Sequence, residues 1–374
     1  MILYFFLLIP ILYILLIVAF SIGFFKLKPF IPSDEKPMTR FSIIVPFRNE
    51  AENLFGLIAS IEKLNYPKQL FEVLFVNDAS EDASAEIIAN TSAEKFTFSL
   101  LENQRKSASP KKDAIETAIQ ESHFEWLVTT DADCTLPPDW LRLLDAFIQQ
   151  QNPLLVAGPV CYSAKNNLLE GFQAMDFFSL MGSTMGSFGL KRPFMCNGAN
   201  LAYKKAFFLE ANGYKGNEGF AGGDDIFLLE KALKINPKSV MFLKNTGFAV
   251  STKPQKNLPQ LLHQRVRWAA KATAYKSLFA KAVGLLVFLM NLGLVLLFMG
   301  VLVGWSNRYF FWAVLGAKCI VDFMLICQTA LFFNKQQQLL YFLPSSVLYP
   351  FFSVLVVFRS ILGGFNWKGR HFKK

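Results

Sequence analysis

Two apolar blocks at opposite ends of the chain, Ile2 to Phe25 and Leu278 to Leu362, most constrain what it can fold into. The first is broken only by Pro10, Ser21 and Gly23, and a helix of about 20 apolar residues is long enough to cross a bilayer. The second divides into Val283 to Gly304, Phe310 to Phe333 and Leu339 to Leu362. Such runs need lipid around them, so the fold must combine membrane segments with whatever the polar middle builds. Composition agrees: 53% of the 374 residues are hydrophobic and 15% aromatic, with 40 Phe, above what an ordinary soluble domain carries.

The net charge of +10 points to a membrane surface and not to nucleic acid, because Lys and Arg gather at the ends of the apolar segments, where anionic head groups lie. Lys26, Lys28 and Arg40 follow the first run instead of preceding it, the pattern of an uncleaved anchor running outside to inside, with a secretion signal as the alternative. The five cysteines show no paired short spacing, which argues against a zinc site or disulfide framework and fits a reducing cytosolic face. Three full crossings after a cytosolic domain would place the basic tail NWKGRHFKK outside, against the positive-inside bias. The last segment, interrupted by Pro344, Ser345, Ser346 and Pro350, is therefore expected to be re-entrant or interfacial. Lys318 and Asp322, four apart in the middle segment, can pair on one helix face, either as mutual neutralisation or in a functional role.

After the linker KPFIPSDEKPMTR the pattern switches to short β-branched strands alternating with amphipathic stretches, as in a parallel α/β sheet. Strands are expected at Phe41 to Pro46, Phe71 to Val76 and Trp126 to Thr130, and helices at Glu50 to Leu64 and Ala83 to Asn90. The domains are accordingly an anchor over residues 1–28, an α/β domain ending in an interfacial helix over 39–275, and transmembrane or re-entrant helices with a basic tail over 278–374. Asp78 and Asp131 fall at carboxyl ends of strands, where open α/β sheets bind ligands.

Chemistry-bearing residues recur at those ends. SIIVPFRNE runs through Pro46 and turns out Arg48, Asn49 and Glu50 at a helix start, suited to a nucleotide edge or ribose. Asp78 in VNDAS is either a turn former or helix cap, or a strand-end carboxylate accepting hydrogen bonds from a base or ribose. Lys111 and Lys112 open an amphipathic helix, where they can approach phosphates or simply be solvated. Asp131 and Asp133, at i and i+2 in TTDADC, supply the oxygen ligands that Mg²⁺ or Mn²⁺ prefers, without the Gly and Glu spacing of an EF-hand. Asp224 and Asp225 follow a Gly pair at a helix start; adjacent acids there repel unless a cation or proton is near, and one can take a proton from a hydroxyl. HQRVRW brings Gln264, Arg265, Arg267 and Trp268, fit to clasp a diphosphate and stack on a sugar, or to lie on a membrane. Phe172 to Leu190, with Met175, Phe177, Phe178, Leu180 and Met181, either docks at the bilayer surface or packs in a core.

In this order, VPFRNE, VNDAS, DAD, GGDD and QRVRW resemble the inverting family 2 glycosyltransferases of the GT-A fold over roughly Phe41 to Trp268. The resemblance implies a Rossmann-like, mostly parallel sheet flanked by transmembrane helices. It also implies a UDP-sugar or similar nucleotide-sugar donor. By it, Pro46, Glu50 and Asp78 match nucleotide-binding positions, beside Arg48 read above for the same ligand, while Lys111 matches the lysine of a GK-x-x-A segment and Asp131 with Asp133 the motif for a divalent metal and diphosphate. Asp225, beside Asp224, matches the catalytic base, though the family usually reads Glu-Asp there and has Gly where Pro110 stands. Gln264, Arg267 and Trp268 match a motif of membrane members, both polysaccharide synthases and ceramide glucosyltransferase-like lipid glycosylators, and the closing WKGR is similar to the latter.

The expectation that follows is an integral protein of the inner cell membrane. Its cytosolic catalytic domain moves a sugar to a lipid or lipid-linked acceptor by in-line displacement. A processive polysaccharide synthase subunit and a silent nucleotide-binding scaffold are the alternatives.

Overall fold

The computed structural model describes all residues except 1, 93, 95, 166, 221, 272, 273, 364, 368, 369, 373 and 374; Lys368 and Gly369 of the WKGR motif thus lie outside the described residues. In chain order its regular elements are α1 (Ile2–Lys26), β1 (Phe41–Phe47), α2 (Ala51–Glu62), β2 (Phe71–Asn77), α3 (Ser84–Ala89), β3 (Phe98–Glu102), α4 (Pro110–Glu121) and β4 (Trp126–Thr129). There follow β5 (Cys134–Thr135), α5 (Trp140–Gln151), β6 (Leu155–Ala157), β7 (Val160–Tyr162), α6 (Leu168–Gly189), β8 (Leu201–Lys204), α7 (Lys205–Glu210), α8 (Asp224–Ile235), β9 (Val240–Phe242) and β10 (Val250–Thr252). The chain ends with α9 (Leu258–Lys271), α10 (Leu278–Leu302), α11 (Arg308–Phe332), α12 (Phe342–Leu362) and the hairpin β11 (Phe365–Trp367) and β12 (Arg370–Phe372).

These elements gather into two compact units, one of Lys28–Ser163 with Met195–Lys253, the other of Met1–Leu27, Ala164–Phe194 and Pro254–Lys374. The division is discontinuous, whereas the sequence reading drew residues 39–275 as one uninterrupted domain; residues 164–194 and 254–275 pack with the helical unit.

The α/β unit is built on a seven-stranded sheet of order β3-β2-β1-β4-β8-β6-β9. β1 pairs in parallel with β2 on one side and β4 on the other, β2 with β3 and β6 with β9, while β8 runs antiparallel to its neighbours β4 and β6. Strands buried on both faces read as continuous apolar runs, which is why FSIIVPF and FEVLFVN carry almost no alternation. α2 closes one face through Leu54, Leu57, Ile58 and Ile61, spaced as one helical stripe and buried, each worth about 1.5–3 kcal/mol. Because the chain leaves β1 for β2 on one side and returns to β4 on the other, a crevice opens at the carboxyl ends of these strands.

In the helical unit, α1 turns Tyr13, Ile17, Phe20 and Phe24 inward as a single stripe and leaves Leu8, Ile11, Leu15 and Phe25 exposed. Its close partner is α6. A Cβ on Gly23 would lie 2.1 Å from the Gly186 carbonyl oxygen, and one on Gly189 would lie 1.8 Å from that of Gly23, so the two backbones touch where only glycine fits. Of the Phe172 to Leu190 stretch, Met175, Phe177, Phe178 and Met181 are buried and Leu180 is half-buried, which settles that segment as core packing and not a surface dock. Among the described residues, four helices, Leu7–Lys26, Leu278–Leu302, Arg308–Phe332 and Gln336–Leu362, are long and apolar enough to cross a membrane. The last corrects the expectation of an interrupted segment: Pro344 falls in the first turn of α12, where no intrahelical donor is lost, and Pro350 is accommodated within a continuous helix.

Candidate active site

The chemistry-bearing residues of the α/β unit lie on the loops after β1, β2, β3 and β4 and on the stretches that lead into β8 and α8. The loop after β1 carries Arg48 and Glu50. Asn49 there is left-handed, at φ 50°, with its backbone N–H on the Ser80 hydroxyl. Arg48 does not face outward as the sequence suggested. Its guanidinium is buried, donating to the Asp78 carbonyl at 2.8 Å, to the Ala79 carbonyl and to the Glu81 carboxylate at 2.8 Å, so it ties the loop after β2 to the loop after β1. Glu50 is the N-terminal flanking residue of α2, with Oε2 accepting from Asn53 at 2.6 Å. Pro46 sits opposite Val76 in the strand register.

The turn after β2 is shaped by neighbours of Asp78 and not by Asp78 itself: the Asn77 side chain accepts from the Ser80 N–H, and Asp82 accepts from the Ser84 N–H at the start of α3. Asp78 is thereby left to act as a buried strand-end carboxylate. It receives Asn103 Nδ2 at 2.8 Å and a two-pronged contact from Arg105, Nε at 2.8 Å and Nη2 at 3.1 Å. Asn103 and Arg105, between β3 and α4, went unremarked in the sequence. Their segment has no motif spacing, and only the side-chain geometry joins them to Asp78.

The two lysines that open α4 separate cleanly. Lys111 reaches the carboxylates, with Nζ at 2.7 Å from Asp131 Oδ1 and 3.2 Å from Asp224 Oδ2. Burial alone would lower its pKa, but the charges of Asp131, Asp224 and Asp225 outweigh that and hold it well above the usual lysine value. Lys112 turns the other way and is 1% exposed. It donates to the Asn217 and Phe220 carbonyls at 2.7 and 2.9 Å and lies 4.6 Å over the Phe227 ring, holding the segment that leads into Asp224.

That segment ends in Gly222 and Gly223, both left-handed at φ 83° and 75°, and delivers Asp224 and Asp225 as the first two residues of α8. Lys111 is the cation that adjacent acids at a helix start require. Asp224 is buried against it, while Asp225 is half-exposed, its Oδ2 accepting from the Gly198 N–H at 3.3 Å. Gly198 is held in turn by Thr129, whose hydroxyl donates to its carbonyl at 2.7 Å, and a Cβ there would meet Asp224 Oδ2 at 2.8 Å. The polar stretch FMCNGAN thus wraps the acids at a point where only glycine leaves them room.

Asp131, Asp133 and Cys134 offer ligand atoms that all lie within 4.8 Å of one another. Burial, reinforced by the two aspartates, pushes the Cys134 thiol up, so it stays protonated. The two carboxylates fit a hard divalent cation whose remaining ligands would be phosphate and water.

Gln264, Arg267 and Trp268 lie on α9 of the helical unit. Their neighbour Arg265, read from sequence as a diphosphate clasp, is instead buried against Asp176 of α6, Nε to Oδ2 at 2.6 Å, and its guanidinium stacks 4.3 Å over the Trp268 ring. His263 is exposed.

The profile described as Glycosyl transferase family 2 matches residues 42–209, and that of Glycosyl transferase family group 2 matches residues 126–351. A poly-beta-1,6-N-acetyl-D-glucosamine synthase of Staphylococcus epidermidis is 25% identical over 259 residues, 66% of this chain and 59% of its own length. An undecaprenyl-phosphate 4-deoxy-4-formamido-L-arabinose transferase of Salmonella dublin is 28% identical over 167 residues, 42% of this chain and 48% of that protein. The chain thus spans less than two thirds of either relative. Among solved structures, a mannosyltransferase from Pyrobaculum calidifontis in complex with GDP-Man and Mn²⁺ superposes with a TM-score of 0.61 at 16% identity, over 96% of this chain and 98% of that one. That likeness shows a shared GT-A fold.

Proposed function

The chain belongs to the family 2 glycosyltransferases, and we propose that it moves a sugar from a nucleotide-sugar donor, a UDP-sugar in our reading, to a lipid or lipid-linked acceptor at the cytosolic face of the cell membrane. The observation that carries this reading is the meeting of Asp131, Asp133, Lys111, Asp224 and Asp225 at the carboxyl ends of the parallel strands. Four helices apolar enough to span a bilayer, and a relative named for an undecaprenyl-phosphate acceptor, support the membrane and lipid parts.

In this mechanism Asp78 and Glu50 receive the nucleoside, with Arg48 keeping their two loops in register. Asp131 and Asp133 would hold a divalent Mg²⁺ or Mn²⁺, which when bound offsets the charge of the donor diphosphate. Lys111, already among the carboxylates, is placed to meet a phosphate oxygen. Asp225, the more open of the two acids, takes the proton of the acceptor hydroxyl as its oxygen forms a bond to the sugar C1. The C1–O bond to the diphosphate breaks with its electron pair leaving on the nucleoside diphosphate. Attack from the opposite face turns an α-linked donor into a β-linked product. Asp224 stays buried on Lys111 and orients it, and Gln264, Arg267 and Trp268 contribute to binding diphosphate and acceptor.

A second reading, a polysaccharide synthase, draws on the Staphylococcus epidermidis relative, named as a polymer synthase and aligned over 259 residues. The test is nucleoside diphosphate release by the detergent-solubilised full chain across a panel of nucleotide sugars, with and without Mg²⁺ or Mn²⁺ and with lipid extract as acceptor. Metal-dependent release that rises with lipid supports the lipid acceptor. Release that ignores lipid and yields a lengthening glycan supports the polymer, and no release from any donor refutes both.

A further inference from the structure

The helical unit buries two ion pairs that the chemistry above does not use. On α11, Lys318 is 3% exposed and bonded to Asp322, whose other oxygen accepts from the Tyr13 hydroxyl of α1 at 2.7 Å. The Lys318 ammonium lies 5.4 Å from the Tyr13 ring centroid and 5.7 Å from that of Tyr349 on α12. The Tyr349 hydroxyl neighbours the Asp176 carboxylate of α6, and Asp176 holds Arg265 of α9. Arg265 in turn bonds the Gln264 side chain and stacks on Trp268, one turn further along. These groups thus lead from Lys318 on α11 through Tyr349 of α12 and Asp176 of α6 to Arg265 beside the Gln264-x-x-Arg267-Trp268 box, with Tyr13 of α1 as a branch on Asp322.

Such groups are costly to bury among apolar helices unless they meet one another. A pair serving only to cancel its own charge would need neither the tyrosines nor the second pair. We propose that Lys318, Asp322, Tyr13, Tyr349 and Asp176 are positioning residues that fix α9 through Arg265 and so set the disposition of Gln264 and Trp268. The inference concerns the structure of α9 directly, and rests on the proposed transferase activity only for its kinetic consequence.

Tyr349→Phe tests it, because the ring that packs on Phe172 and neighbours Lys318 stays while the hydroxyl beside Asp176 goes. Hydrogen exchange of the full chain in detergent is read by segment, beside turnover. The expected result is amide exchange over residues 258–271 faster by on the order of tenfold, with the strands of the α/β unit unchanged, and kcat lower by a similar factor at an unaltered donor KM. The double replacement Lys318→Met/Asp322→Leu removes the remote pair without leaving a lone buried charge, and should give the same local signature at a parent-like melting temperature. Parent-like exchange over 258–271 in either variant overturns the proposal, as does a uniform rise across the whole helical unit. Should the parent show no turnover with any donor, the transferase reading falls and the exchange comparison still decides this one.

Discussion

Gly198 offers a sharp test of the acid cluster because its replacement acts on Asp224 through space alone. An added Cβ would stand 2.8 Å from Asp224 Oδ2, 3.5 Å from Lys111 Nζ and 3.7 Å from Asp225 Cβ. Ordinary contact begins at 3.4 Å, so the Asp224 carboxylate must retreat by about 0.6 Å. It cannot do so freely, being buried and tied to Lys111 at 3.2 Å. A misplacement approaching 1 Å in a reacting constellation costs up to about 10²-fold in rate. Gly198→Ala is therefore expected to lower kcat for nucleoside diphosphate release by one to two orders of magnitude with melting within about 2 °C of the parent, since a side-chain shift touches little core. Gly56→Ala is the matched control: nothing lies within 4 Å of its Cβ, and alanine within α2 should add about 0.5–1 kcal/mol of stability without changing turnover. A Gly198→Ala protein turning over at the parent rate would refute the argument that these carboxylates must stand where they do.

Asp225→Asn should retain metal-dependent donor binding by calorimetry and lose turnover by at least about 10³-fold, whereas Asp133→Ala should weaken both; normal transfer by the Asn variant would dismiss Asp225 as the base. Lys112→Met leaves the Asn217 and Phe220 carbonyls without their buried donor, at about 1–3 kcal/mol, so limited proteolysis between residues 211 and 222 should speed up and kcat should fall while Lys111 is untouched. Burial lowers the Lys244 pKa to about 8, below its ordinary value, so the folded state resists the charge and loses stability as pH falls from near 10.5 through about 8. Lys244→Met should accordingly melt higher than the parent at pH 7, with the gap closing as pH rises toward 10.5; a gap that widens with pH would reverse the sign of the reasoning.

Much of the α/β unit was legible because a strand buried on both faces must be an uninterrupted apolar run, and β1, β2 and β4 begin where those runs begin. Asp78 and Asp131 were readable for the same reason, as the first acids after a strand stops. What escaped was direction. Sequence spacing cannot say that Lys111 and Lys112, adjacent at a helix start, point to opposite sides, one to carboxylates and the other to loop carbonyls. Nor can it say that Arg48 faces inward while Arg105, in a segment without pattern, takes Asp78. α6 stayed undecided in the sequence for a related reason: a stripe of Met and Phe looks alike whether the apolar partner is lipid or other helices, and only long-range contact distinguishes them. The prolines of α12 were overweighted, because a proline in a first turn costs no hydrogen bond and one further in can be tolerated by a long apolar helix.

The glycine contact between α1 and α6 also bears on how the protein is made. Gly23 leaves the ribosome long before Gly186, and at about 5–20 residues per second the delay is roughly 8 to 30 s. Throughout that interval the bare backbone at Gly23 waits for a helix not yet synthesised, while the strands of the α/β unit are still emerging. A bulky residue at Gly23 would therefore do its harm at this stage, as failed pairing of α1 with α6, before any enzyme existed to assay.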